Sequence, residues 1–175
     1  YYPSNNESLY YAYSSNESNV QILWAVPTPE NLSAYVDSGD VDGDGIDDIA
    51  IMPYNRSKWT VGLVASWLTL QVFKNNGSLL WSSQVYIYPR GVSIEDIDND
   101  GKGEVIVHGC IENGNYGAHV YVFDDNGSML WEFHQSDDVG YWDLFQGIIF
   151  ANLDNDSRLE ILPFSWGWER YTIYA

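Results

Sequence analysis

The stretch DVDGDGIDD, residues 40–48, returns as DIDNDGKGE at 96–104 and as NLDNDSRLE at 152–160, each copy starting 56 residues after the last. A long fixed period is the mark of a repeat array, in which each copy is one structural unit leaning on its neighbours. Within each copy oxygen-bearing side chains fall at positions 1, 3, 5 and 9. These are Asp40, Asp42, Asp44 and Asp48, then Asp96, Asp98, Asp100 and Glu104, then Asn152, Asp154, Asp156 and Glu160. Alternate residues of a tight loop can converge on one point, and the backbone carbonyl at position 7 (Ile46, Lys102, Arg158) adds a fifth oxygen. A set of hard oxygens in a flexible loop suits calcium, which accepts six to eight such ligands, better than magnesium, which demands a strict octahedron. Three calcium sites are therefore expected. Gly45 and Gly101 follow the third ligand where the chain must turn, whereas Ser157 takes that place in the third copy. With Asn152 also at position 1, the third site is expected to be the weakest. An EF-hand needs a bidentate acid at position 12 and helical flanks. Position 12 here is Ile51, Val107 or Pro163, and the flanks are strand-like.

Those flanks define a unit of about four antiparallel strands. An apolar strand follows each loop (Asp48 to Pro53, Glu104 to Cys110, Leu159 to Phe164). A hairpin comes next, LQVFKNNGSLLW ending at Trp81 and HVYVFDDNGSMLW ending at Trp131, each with the Asn-Gly step that favours a two-residue turn. YYAYSSNESNVQILW, ending at Trp24, reads as the same hairpin with a longer loop. A fourth strand leads into the next acidic loop: Ala34 to Val36, Val92 to Ile97, Gly147 to Leu153. Trp24, Trp81 and Trp131 hold one equivalent position and are expected in the core between stacked sheets.

The coupling of a D-x-D-x-D-G-x-x-D/E loop to a V-F-x-x-N-G-x-L-L-W hairpin resembles the FG-GAP/VCBS repeat proteins, whose blades build integrin-type β-propellers. The resemblance covers nearly the whole chain, and it implies calcium at the residues quoted and blade-like four-stranded sheets. The expected fold is all-β and propeller-like: a partial blade over 1–39, repeat one over 40–95, repeat two over 96–151 and a partial third repeat over 152–175. Such blades serve adhesion proteins, lectin-like modules and accessory domains of enzymes, so the fold alone does not name a ligand.

Composition points outside the cell. Asp and Glu number 25 against 7 Lys and Arg, a formal charge of −18 that repels nucleic acid. Three bound divalent cations would offset a third of it. No apolar run is long enough to span a bilayer. Cys110 is the sole cysteine, so no internal disulfide forms and metal is the expected staple. The sequons at Asn6, Asn16, Asn31, Asn55, Asn76, Asn126 and Asn155 far exceed the roughly two that composition would supply by chance. N-glycans and an extracellular or cell-surface location are expected.

No catalytic constellation is apparent. His108, His119 and His134 lack a zinc spacing, no serine sits in a nucleophile elbow, and the carboxylates that would suggest a glycosidase are those assigned to calcium, so no enzymatic activity is expected. Asp137, Asp138 and Asp143, near Tyr141 and Trp142, could contact a carbohydrate, since aromatic faces stack on sugar rings. The N-terminal segment reads as the later strands of a blade and LEILPFSWGWERYTIYA as the earlier ones. Residues Leu159 to Tyr174 of one subunit are thus expected to complete a sheet with Leu9 to Trp24 of a neighbour, giving a head-to-tail structural or adhesive filament. A lectin-like module and a fragment of a larger propeller are the alternatives.

Overall fold

A computed structural model describes residues 8–16, 19–28, 32–55, 65–110, 118–134, 144–166 and 171–173. Among these residues there is no helix, and the fold is all-β. The strands are β1 (Ser8–Asn16), β2 (Asn19–Thr28), β3 (Ser33–Gly39), β4 (Asp48–Tyr54), β5 (Ser66–Phe73) and β6 (Leu79–Glu95). They continue with β7 (Glu104–Cys110), β8 (Ala118–Phe123), β9 (Met129–His134), β10 (Leu144–Ala151), β11 (Glu160–Trp166) and β12 (Tyr171–Ile173). β3 to β9 form one seven-stranded antiparallel sheet in sequence order, flanked by a β1–β2 pair and a β10–β11–β12 sheet.

The expected third and fourth strands of the first repeat are one strand. β6 runs for 17 residues; it pairs with β5 as far as Ile87 and with β7 from Tyr88 onward. Pro89 and Gly91 interrupt a regular strand, and the register shift between them absorbs the interruption as a bulge. Through β6, the array β3–β4–β5 is joined edge to edge with β7–β8–β9. The strands preceding the acidic loops lie side by side: β3 packs on β6, and β10 on β6 and β7.

The core follows from this layering. Val105 and Val107 of β7 face a cluster with Met52, Leu70, Ile87 and Phe123, while Ile106 faces a second cluster with Val120, Val122 and Phe150. Apolar neighbours on both faces explain why every residue of β7 is buried and why it reads as a continuous apolar run. His108 lies inside β7, opposite Gly91.

The hairpin turns are not two-residue turns. Gly77 N–H donates to Lys74 O and Lys74 N–H to Ser78 O, both at 2.8 Å; Asp124, Gly127 and Ser128 repeat the pattern at 2.9 Å. Only the glycines, at φ 83° and 82°, are left-handed, whereas a type I′ turn needs positive φ at both central residues. The result is a three-residue loop ending in a glycine bulge, matched by the register shifts beside Phe73 and Phe123.

Candidate metal centres

Each acidic loop connects a strand leading in from the stacked row (β3, β6, β10) to the next strand of the sheet (β4, β7, β11). The first-position aspartates organise the first two loops. Asp40 Oδ1 accepts from Gly43 N at 2.8 Å and Oδ2 from Gly45 N at 2.7 Å. Asp96 accepts from Asp100 N and Gly101 N, both at 3.0 Å. The path needs left-handed residues at positions 4 and 6: Gly43 (φ 77°) and Gly45 (83°), then Asn99 (61°) and Gly101 (91°). In the third loop neither Asn155 nor Ser157 has positive φ, and the Asn152 amide donates to the Asp156 carbonyl. That loop follows a different course, as its Ser157 foretells.

Three carboxylate groups converge in each loop, with one oxygen of each residue within 4.8 Å of the others: Asp40, Asp42 and Asp48; Asp96, Asp98 and Glu104; Asp154, Asp156 and Glu160. Asp44 and Asp100, at position 5, stand outside these groups and accept from Ile46 N and Lys102 N at 2.9 Å. In the third loop Asp156 belongs to the group while also accepting from Arg158 N at 2.7 Å.

The ninth-position acid lies deepest. Glu104 is 2 % exposed, and its Oε2 accepts from Ile97 N at 2.9 Å. Burial, with repulsion from Asp98, Asp100 and Asp96, pushes its carboxyl up to about 7. Glu160 makes the same bond to Leu153 N at 2.6 Å. Asp48 is one methylene shorter. It is fully buried, and neither of its carboxylate oxygens completes a hydrogen bond. Burial and then Asp42 raise its pKa, against the backbone N–H groups of Asn75, Asp42 and Val41 that face it. A buried carboxylate without bonds is costly unless a cation compensates it. This donor set, all oxygen and all acidic, fits a hard divalent cation.

Lysines at two of the loops escape a sequence reading focused on acids. Lys74, in the β5–β6 turn, contacts Asp42 at 2.5 Å, and in the second repeat the polarity is reversed, with Lys102 of the loop contacting Asp125 of the β8–β9 turn. Each partner holds the Asp42 or Asp125 carboxyl below its ordinary range. The available signal was that Lys74, Lys102 and Arg158 are three of only 7 basic residues. Successive loops are tied as well: Gly103 N donates to Asp40 O at 2.7 Å and Leu159 N to Ile97 O at 2.8 Å.

The three tryptophans differ. Trp81 is 8 % exposed and Trp24 half-buried, but Trp131 is 41 % exposed, contrary to the core position expected for all three. Of the sequons, Asn76, Asn126 and Asn155 are exposed and Asn55 is half-buried; Asn16 ends β1, and Asn6 and Asn31 lie outside the described residues. Asp137, Asp138, Tyr141, Trp142 and Asp143 lie outside them too. No helix among the described residues is long and apolar enough to cross a membrane.

No protein-family model matches the chain, and no curated protein does. Its structure is similar to the crystal structure of the exotype rhamnogalacturonan lyase YesX, with a TM-score of 0.53 and 16 % sequence identity over 98 % of this chain. The chain spans 41 % of the length of that lyase. The expectation of a fold without enzymatic activity is corrected by this likeness, distant as it is: a fold of this kind forms part of an enzyme.

Proposed function

We propose that the chain is a calcium-stabilised repeat module of FG-GAP/VCBS type, propeller-like in plan, serving a structural or adhesive role in a secreted, N-glycosylated protein. The observation that carries this reading is Asp48, fully buried with both carboxylate oxygens lacking hydrogen bonds, beside Asp40 and Asp42. A carboxylate so placed costs stability unless it is neutralised, and a calcium ion held by these residues supplies the positive charge. Asp96, Asp98 and Glu104 would hold a second ion, and Asp154, Asp156 and Glu160, with Asn152, a third. Each ion would fasten an incoming strand to the next strand of its sheet. Head-to-tail self-association through the flanking sheets belongs to the same reading.

The test is thermal unfolding in millimolar calcium, in magnesium and in EDTA. Mass action at a hundredfold excess over the dissociation constant stabilises by about 2.7 kcal/mol per site. The melting temperature is expected to fall markedly in EDTA and to recover with calcium more than with magnesium. Equal melting temperatures in calcium and EDTA would sink the reading.

The likeness to a rhamnogalacturonan lyase favours a second reading, contact with a polysaccharide such as rhamnogalacturonan. Titration with rhamnogalacturonan fragments, together with an assay for chain cleavage, separates the two: saturable binding or cleavage supports it, and neither leaves the structural role.

A further inference from the structure

One face of the β5–β6 hairpin carries side chains that the core does not use. Trp67 lies opposite Tyr86, Thr69 opposite Gln84 and Gln71 opposite Ser82, and partners directly across an antiparallel pair share a face. The alternate residues Leu68, Leu70 and Val72 turn the other way, into or against the core. Trp67 is 69 % exposed and belongs to neither core cluster. Tyr86 flanks it, the two rings 5.5 Å apart and inclined at 53°. Scattered exposed apolar residues are ordinary on a protein surface. This one, however, is not demanded by the repeat. Trp81 lies opposite Val72 and Trp131 opposite Val122, so the counterpart of Trp67 stands 50 positions on in the sequence, and it is Gly117. The counterpart of the half-buried Thr69 is His119, which is 2 % exposed.

The polar groups beside Trp67 are held in place and still have capacity. Gln84 Nε2 donates to Thr69 Oγ1 at 2.6 Å, which leaves the threonine O–H as a donor and Gln84 Oε1 as an acceptor, side by side. Neither these groups nor the Gln71 amide has a further partner among the described residues. No member of the three pairs is charged, although the chain as a whole carries −18. A cleft of about 530 Å³ opens along the same face, with Trp67, Thr69 and Gln71 of β5 on one side and Tyr10 of β1 and Pro27 of β2 also lining it. That volume is in the range of small-ligand clefts.

We propose that this face binds a neutral carbohydrate, a chain of pyranose rings stacked on Trp67 and hydrogen-bonded along Thr69, Gln84 and Gln71. The proposal rests on the polysaccharide reading above and gives it a site and a ligand class. A pyranose ring has an apolar face of C–H groups, which an indole accepts, and hydroxyls at its rim that each donate and accept, as Thr69 and Gln84 do. From Trp67 to Gln71 the strand runs about 14 Å, long enough for a short run of linked rings. An acidic sugar would find no cation among these pairs and would meet the repulsion of a strongly negative chain. A purely apolar partner surface would strip water from Thr69, Gln84 and Gln71 without replacing its hydrogen bonds, a net cost.

Calorimetric titration in millimolar calcium tests the proposal, with the melting temperature of every sample recorded. The probes are hexaoses of β-1,4-linked glucose, mannose, xylose and galactose, a galacturonic acid hexaose, and rhamnogalacturonan fragments. The intact chain is expected to bind at least one neutral hexaose saturably and more tightly than the acidic one. Trp67→Ala should weaken that binding roughly tenfold, Gln84→Ala severalfold, and Trp67→Tyr, which keeps an aromatic face, should retain most of it. Trp131→Ala removes another exposed tryptophan and should leave the affinity unchanged. Should Trp67→Ala melt early, Gln84→Ala and Trp67→Tyr still decide. Binding that is indifferent to Trp67 and Gln84, or confined to the acidic hexaose, overturns the proposal while leaving the polysaccharide reading standing. No binding of any probe by the intact chain overturns both. Sugar silence joined to a loss of self-association in Trp67→Ala, seen by sedimentation velocity, would also overturn the proposal and assign the face to a second copy.

Discussion

The six-membered ring of Trp81 rests on Gly127, 46 residues further along the chain, with Cδ2 placed 2.8 Å from where a β-carbon would sit. Gly127 also has φ 82°, so alanine there meets two penalties: about 1–2 kcal/mol for the left-handed backbone and about 1–3 kcal/mol for overpacking against the ring. Gly101 has φ 91° with nothing within 4 Å of a built β-carbon, and its alanine variant meets only the first. Urea unfolding should therefore show Gly127→Ala as the more damaging of the two. Equal losses would mean that the tryptophan does not hold the turn.

Much of this arrangement is local and so was legible in the sequence. The acidic loops sit where the spacing of Asp40, Asp96 and Asn152 puts them, and β4, β7 and β11 begin within a residue of their expected starts, because ligand spacing and strand periodicity are carried by adjacent residues. Burial of Trp131 was misjudged for the opposite reason. Its own strand is indistinguishable from that of Trp81, and the difference lies in a turn supplied from elsewhere. The continuity of β6 through Pro89 was hidden because a proline signals a break unless a partner strand can accommodate a bulge. The pairing of Lys74 with Asp42, 32 residues apart, depends on the hairpin folding back over the loop.

Cation affinity should be graded. The third loop lacks a carboxylate at position 1, lacks left-handed residues at 155 and 157, and has an exposed acid pair in Asp154 and Asp156. Calorimetric titration is expected to resolve two tighter sites and one weaker one. Asn152→Asp adds a charge at contact range, where an ion pair near the surface gains up to about 4 kcal/mol before desolvation, so the third site should tighten by roughly tenfold or more. Three equal sites in the unaltered chain would refute the grading.

Stability should also fall with acid through His108. This residue is 6 % exposed, and burial pushes its pKa down to about 4 from the ordinary 6.5. Between those values the unfolded chain binds a proton that the folded chain refuses, so stability is full above pH 6.5 and declines as pH falls toward 4. The loss reaches about 3 kcal/mol at the lower end. Glu104, pushed up to about 7, also gains its proton as pH falls, so the informative quantity is the difference in slope between the unaltered chain and His108→Gln, measured in saturating calcium. Identical slopes between pH 6.5 and 4 would show that His108 takes up its proton without unfolding.

Glycosylation at the hairpin tips should be separable from the turns themselves. Asn76 and Asn126 are exposed, and their Oδ1 atoms accept from the backbone N–H of Ser78 and Ser128 at 2.9 Å, so the side-chain oxygen is part of the turn. The glycan attaches through Nδ2. That nitrogen makes no hydrogen bond in Asn76 among the described residues, whereas in Asn126 it donates to Asp124 Oδ2 at 3.0 Å. Asn76 should accordingly be the more fully occupied of the two in a glycosylating host, as read by intact glycopeptide mass spectrometry. Ser78→Ala and Ser128→Ala abolish the sequons but keep the backbone N–H donors, so each should delete one glycan and shift stability by no more than about 0.5 kcal/mol. Unmodified asparagine at both positions in the unaltered chain would remove the hairpin tips from the glycoprotein reading and leave Asn-Gly-Ser as turn chemistry alone.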